Sequence, residues 1–269
     1  MGPLGLVESV FANMDEYMAP ILLAVPRLLG LHMALPMFGQ AVVPKRVRSS
    51  LVLSMSVFLL PMIVTQPFPA NNFIGYGLIT FKEFFLGFAF GFPVALLSWA
   101  AHSAGDLITH QSGGSMASYY DSSLQDESTP MGSLFMRFAE AIFFLSGTYA
   151  FLLGTLFESY KFWPIGSYFP QLSLNGAYYF ADSMGHFFQS ACLMAFPALT
   201  CMFLITFCLG LVGRYIPSLH VFFIAMPLQA LAAIIVTAFC IPIYAHLMKG
   251  HNGEINAILD TLKVIFGAA

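Results

Sequence analysis

The sequence predicts an all-α membrane protein built from about six hydrophobic helices, and three observations predict it. Hydrophobic residues fill 58% of the 269 positions and charged ones only 9%, whereas a soluble domain averages roughly 25% charged. Uncharged runs recur at lengths near the ~20 residues that a bilayer-spanning helix needs. The alternation expected of barrel strands, about ten residues at a time, is not seen, so backbone groups in hydrocarbon must bond within each segment as helices.

The opening, MGPLGLVESVFANMDEY, carries Glu8, Asp15 and Glu16 where a signal peptide would be apolar, so the first apolar helix is expected to be retained. That helix is residues 17–44, interrupted by Arg27 and His32. A second, residues 49–65, is stopped by QPFPANN, whose prolines and asparagines favour a turn. The third covers 84–101, the fourth 134–157 despite Arg137 and Glu140, and the fifth 187–213. The sixth, 215–248, is long enough to bend at Pro227 or Pro242. The tail GEINAILDTLKVIFGAA sets Ile255, Ile258, Leu259, Leu262, Ile265 and Phe266 at helical spacing, with Glu254, Asp260 and Lys263 elsewhere on the wheel. It reads as an amphipathic helix lying on the bilayer, on its own bundle or on a partner.

Several function classes drop out. A net charge of −3 with no basic stripe gives nothing that would release counterions from a nucleic acid. Cys192, Cys201, Cys208 and Cys240 sit inside apolar runs without CxxC spacing and read as small buried hydrophobes. HSAGDLITH repeats His102, Asp106 and His110 every four residues, but the outer two stand about 12 Å apart on a helix, too far for one ion. No HExxH, GxSxG or phosphate-cradling loop appears. No catalytic, cofactor-binding or metal residue is therefore expected, nor an enzyme. Orientation is not legible from the basic residues: one side would hold Lys45, Arg46, Arg48 and Arg214, the other Lys82, Lys161, Lys249 and Lys263. The tight KRVR cluster inclines the first loop toward the cytoplasm.

Charges at bilayer depth carry more information, because each costs about 2.5 to 3.5 kcal/mol at a helix centre on insertion scales unless it finds a partner or water. Arg27, Glu83, Arg137, Glu140 and Glu158 must face protein or a wet lumen. Arg137 and Glu140, three apart, share a face and either pair with each other or meet another helix or subunit. Gly87 and Gly91 in FFLGFAFGFP form a small-xxx-small face suited to close helix approach. Without another subunit, Arg27, Glu83 and this glycine face are expected to stay poorly satisfied. Arg214 and Pro217 in GRYIPSLH mark a short turn between the last two apolar runs.

The passage from 102 to 133 is of another kind, with eight serines, four glycines, four acids and no Lys or Arg. Loops this long are usually functional or disordered. Bulky Ile108, Met116, Tyr119, Tyr120 and Leu124 surround Gly113 and Gly114, as in a segment hinged on glycine that folds into a cavity and can leave it; a simple tether is the alternative.

Four pieces in order carry a family resemblance: Arg27 with Pro36 and VPKRVR; KEFFLGFAFG; GDLITHQSGGSMA running to STPMGSLF; and GLVGRYIPSLHVFFIAMPLQ. Over essentially its full length the chain resembles the SctT/FliR family, the T subunit of the type III secretion export apparatus and its flagellar counterpart. FESYKFWPI looks more like the injectisome branch than the flagellar one. The departures fall at Thr109, Ser112 and Ser122.

The resemblance implies an R-subunit-like part over 1–185, including a plug loop over 102–133, and an S-subunit-like helical hairpin with an amphipathic end over 186–269. It implies one T copy assembled with R and S subunits in the bacterial inner membrane, a contact with the U switch subunit near Arg214 and Pro217, and a channel for unfolded secreted proteins. The plug would comprise Gly105, Asp106, Gln111, Gly113, Gly114, Ser115, Met116, Tyr119, Tyr120 and Asp121. A small-solute secondary transporter is the rival, but the two matching halves it should show are not found. A purely structural membrane scaffold, which has no need of a long glycine-hinged loop, is a third reading.

Overall fold

The computed structural model describes residues 14–39, 42–63, 73–114, 129–166, 174–216 and 220–266. Among them every regular element is helical. Seven α-helices run in order: α1 Met14–Ala34, α2 Lys45–Ile63, α3 Phe73–Gln111, α4 Pro130–Leu145, α5 Thr148–Phe162, α6 Leu174–Tyr215 and α7 Val221–Phe266, with a 3₁₀ turn Pro36–Phe38 after α1. The chain divides into two compact units, each discontinuous in sequence. One gathers the described parts of Met1–Ala95, Thr148–Phe180 and Ile255–Ala269, the other those of Leu96–Gly147 and Ala181–Glu254.

Four element boundaries correct the sequence expectations, each for a local reason. The first apolar run stops being helical at Ala34 because Leu35 precedes a proline and is held extended (φ −80°, ψ 119°). The third segment is 39 residues long, about 58 Å, and continues ten residues into the polar passage. The spacing allows it: His102, Asp106 and His110 fall on one side while Ala101, Ala104 and Ile108 are buried on the other. The fourth segment is broken at Ser146 and Gly147, where Gly147 takes φ +75°. The amphipathic tail is no separate element, since α7 runs unbroken through it.

α3 ends by a glycine-specific device. Gly113 has φ +79°, its N–H donates to the His110 carbonyl at 3.2 Å, and the Gly114 N–H reaches back to Thr109 at 3.0 Å. This pair of bonds is the Schellman closure, with Gly113 in the left-handed position that side chains resist. Gly113 and Gly114 thus cap α3. Of the polar passage 102–133, residues 102–111 belong to α3 and 130–133 to α4.

α3, α6 and α7 are long and apolar enough to cross a membrane, and the bent α4–α5 pair makes up to four spans. The apolar part of α1, Leu22–Ala34, is shorter, about 20 Å against a hydrocarbon core of roughly 30 Å. Burial separates the spanning helices. The apolar stretch of α3 is 72% buried in the chain, those of α6 and α7 only 22%. α3 is therefore a core helix, while α6 and α7 take their apolar surroundings from outside the chain.

Candidate functional site

In the first unit, glycines bring α1 and α3 into backbone contact. A Cβ built on Gly87 would lie 1.8 Å from the Arg27 carbonyl oxygen, one on Gly30 2.2 Å from that of Phe84, and one on Gly91 2.8 Å from the Ala34 Cβ. Only hydrogen fits at these places, so KEFFLGFAFG supplies the groove and α1 fills it. This approach sets Arg27 beside Glu83, with Nε donating to Oε2 at 2.6 Å and neither side chain exposed.

The other guanidinium nitrogens are also engaged. Nη1 donates to Ser159 Oγ at 2.9 Å and Nη2 to the Trp163 carbonyl at 3.1 Å, and the guanidinium carbon stands 4.0 Å over the Tyr160 ring. Tyr160 in turn donates to the Ala24 carbonyl. Lys82 Nζ lies 2.8 Å from Glu83 Oε1 and donates to the Ile165 carbonyl at 3.0 Å. One carboxylate thus answers two cations and ties α1, α3 and α5 together. Arg27, Glu83, Gly87 and Gly91 are satisfied inside the chain, which corrects the expectation that they lack partners without another subunit.

Sequence reasoning missed Lys82, Ser159, Tyr160 and Trp163 as members of this network. Their signal was the stretch FESYKFWPI, whose Ser159, Tyr160 and Trp163 fall within one and a half turns. It also missed His32, buried with Nδ1 2.8 Å from the Leu28 carbonyl and Nε2 3.1 Å from Tyr149 Oη. The carbonyl can only accept, so Nδ1 carries the proton and Tyr149 donates to Nε2.

In the second unit the two roots of the polar passage are clasped. Thr129 caps α4, its Oγ1 accepting from the Gly132 N–H at 3.0 Å and donating to Asp106 Oδ1 at 2.6 Å. His102 Nδ1 lies 3.0 Å from the other Asp106 oxygen. Gly105 permits the contact, since a Cβ there would come within 2.4 Å of the Met131 carbonyl oxygen. Thr109 and Ser112 bond locally, their hydroxyls donating to the carbonyls of Gly105 and Thr109.

Beyond the clasp, the end of α3 meets α7. Met226 packs where a Gly113 side chain would point, and a part-open cavity of about 310 Å³ lies between His110, Gln111 and Gly113 on one side and Thr206, Phe222 and Gln229 on the other. Gln229 donates to Thr206 across α6 and α7. Ser115, Met116, Tyr119, Tyr120 and Asp121 lie outside the described residues, as does Pro217. Arg214 is exposed in the last turn of α6, where a cation suits the helix dipole. Arg137 and Glu140 bond to each other at 2.9 Å on α4.

Residues 18–255 match the family model described as bacterial export proteins, family 1. The chain is 32% identical over 229 residues to Yop proteins translocation protein T of Yersinia pestis, covering 84% of this chain and 88% of that protein. It is 30% identical over 240 residues to secretion system apparatus protein SsaT of Salmonella typhimurium, with 87% and 91% covered. Flagellar biosynthetic protein FliR of Aquifex aeolicus is 26% identical over 242 residues, with 88% and 91% covered.

Proposed function

This chain belongs to the bacterial export proteins, family 1, and from that premise we propose that it is the T subunit of a type III secretion export gate in the bacterial inner membrane. The observation that carries this is the match across 18–255, together with near full-length relatives named as secretion and translocation apparatus proteins. Identity is higher to those two than to FliR, 32% and 30% against 26%, which favours an injectisome over a flagellum.

Within that reading the chain joins R and S subunits as one copy, its R-like part ending near 185 and its S-like hairpin following, and unfolded proteins pass through the channel. The outward apolar faces of α6 and α7 support a place against other membrane helices. Co-expression with R and S subunits is the direct test: a stoichiometric complex is expected, and a chain that purifies only alone from membranes holding all three overturns the assignment.

The segment between the clasped roots is the closure element. Support comes from its position: it leaves α3 at the Gly113–Gly114 cap, beside the cavity, and returns at Thr129. Deleting 115–120 spares both the cap and the clasp, so assembly should be unchanged while small ions leak across the inner membrane. A deletion complex that forms normally and stays as tight to ions as the parent returns the segment to a tether.

The turn after Arg214 faces the cytoplasm, where the U subunit wraps the gate. Tyr215, 84% exposed at the end of α6, reports on it. In a chain freed of its native cysteines, Tyr215→Cys should react with an impermeant maleimide only from the cytoplasmic side, and labelling from the periplasm reverses the orientation.

A further inference from the structure

The clasp at the roots of the polar passage holds more than a helix cap requires. Capping α4 needs only that Thr129 Oγ1 accept from the Gly132 N–H. The same hydroxyl also donates its single hydrogen to Asp106 Oδ1, 23 positions away. His102 Nδ1, which must carry a proton to face a carboxylate, holds the other Asp106 oxygen at 3.0 Å from one turn back on α3. Two glycines let the backbones come this close. A Cβ on Gly132 would lie 2.4 Å from Asp106 Oδ1 and 2.8 Å from Thr129 Oγ1, and one on Gly105 would lie 2.5 Å from the Gly132 nitrogen. Ala101 and Ala104 on α3 and Phe135 and Ala139 on α4 are buried behind this contact, so the clasp closes the end of packed helix faces.

Fourteen residues, 115–128, separate Gly114 from Thr129. Gly113 lies seven residues beyond Asp106, about 10 Å along the helix axis, whereas fourteen residues reach up to about 50 Å when extended. That length is several times the offset between the roots, so the segment can be displaced without moving either of them. Parting the roots would instead strip Asp106 of its hydroxyl donor and pull apart two backbones in contact. We propose that Asp106 and Thr129 are the positioning pair of the closure element, holding its base shut while a substrate passes, so that opening is confined to 115–128. This rests on the reading of that segment as the closure element, and adds which part stays fixed and which side chains fix it.

The test uses the full complex, built on a chain freed of its native cysteines. Asp106→Cys with Thr129→Cys puts two thiols where oxygens stood 2.6 Å apart. With the thiols reduced, ion leak across the inner membrane should rise about ten-fold, the scale of losing one hydrogen bond to a charged group. Oxidised, the leak should fall back to the parent level while export continues at the parent rate. One assembled complex is read in both states, so a folding defect cannot mimic the result. Asp106→Ala should leak like the reduced pair at parent complex yield, and Thr129→Ser, which keeps the hydroxyl, should stay tight. Export that stops on oxidation and returns on reduction would show that the base parts; equal leak in both redox states would show that the clasp positions nothing. Either result overturns the proposal. The 115–120 deletion separates the two levels. If the deletion leaks and Asp106→Ala does not, this inference alone fails; if neither leaks, the closure reading fails with it.

Discussion

Glu83→Ala is expected to cut the yield of folded, detergent-extractable chain severely, and secretion with it. The substitution leaves Arg27 and Lys82 as two buried cations with no carboxylate between them. Removing one partner of a buried pair typically costs about 3 to 5 kcal/mol, because the remaining charge loses its compensation while its desolvation stays. Folded proteins have only about 5 to 15 kcal/mol in hand. The loss should appear first in the chain alone, as a lower thermal aggregation midpoint in detergent, before any effect on complex formation.

A double replacement separates charge from packing. Arg27→Met with Glu83→Leu removes both members of the pair, and swapping a buried pair for apolar groups is often neutral. Partial recovery is expected, limited by Lys82, which keeps the carbonyls of Pro164 and Ile165 but loses its counter-ion. If Glu83→Ala leaves both thermal midpoint and complex yield at the parent level, the network contributes no stability and Glu83 is merely an interfacial charge.

Gly87→Ala should be nearly as damaging, although it adds one methyl group. Its Cβ would sit 1.8 Å from the Arg27 carbonyl oxygen and 2.7 Å from the carbonyl carbon, both backbone atoms of a packed helix. Neither can rotate away, so α1 must shift off α3 by more than an ångström, and the 2.6 Å Arg27–Glu83 bond stretches with it. Overpacking costs about 1 to 3 kcal/mol, occasionally more, and the strained ion pair puts this case at the upper end. Gly77→Ala is the control on the same helix: nothing lies within 4 Å of a Cβ there, and alanine's helix preference should stabilise by up to about 1 kcal/mol. Equal thermal midpoints for the two variants would show that α1 and α3 are not in backbone contact.

Composition and periodicity by themselves determined that this chain is helical and membrane-embedded, since 9% charged residues leave no other place for so much apolar surface. They also marked Arg27 and Glu83 as groups that must find company, because an unpaired charge at depth is costly wherever it sits. Four ordered motif blocks carried the family. Some boundaries were written locally and passed over: HQSGG spells the cap of α3, and the four-residue spacing of His102, Asp106 and His110 continues its helix, but the average polarity of the passage hid both. Only the tertiary structure decided who meets whom. Glu83 stands 56 positions from Arg27, and Ser159 stands 132 away. Helical period says which face a residue occupies and nothing about the helix opposite. The decision came from the absence of side chains at Gly30, Gly87 and Gly91, which lets two backbones touch and carries one carboxylate to within hydrogen-bond reach of two cations.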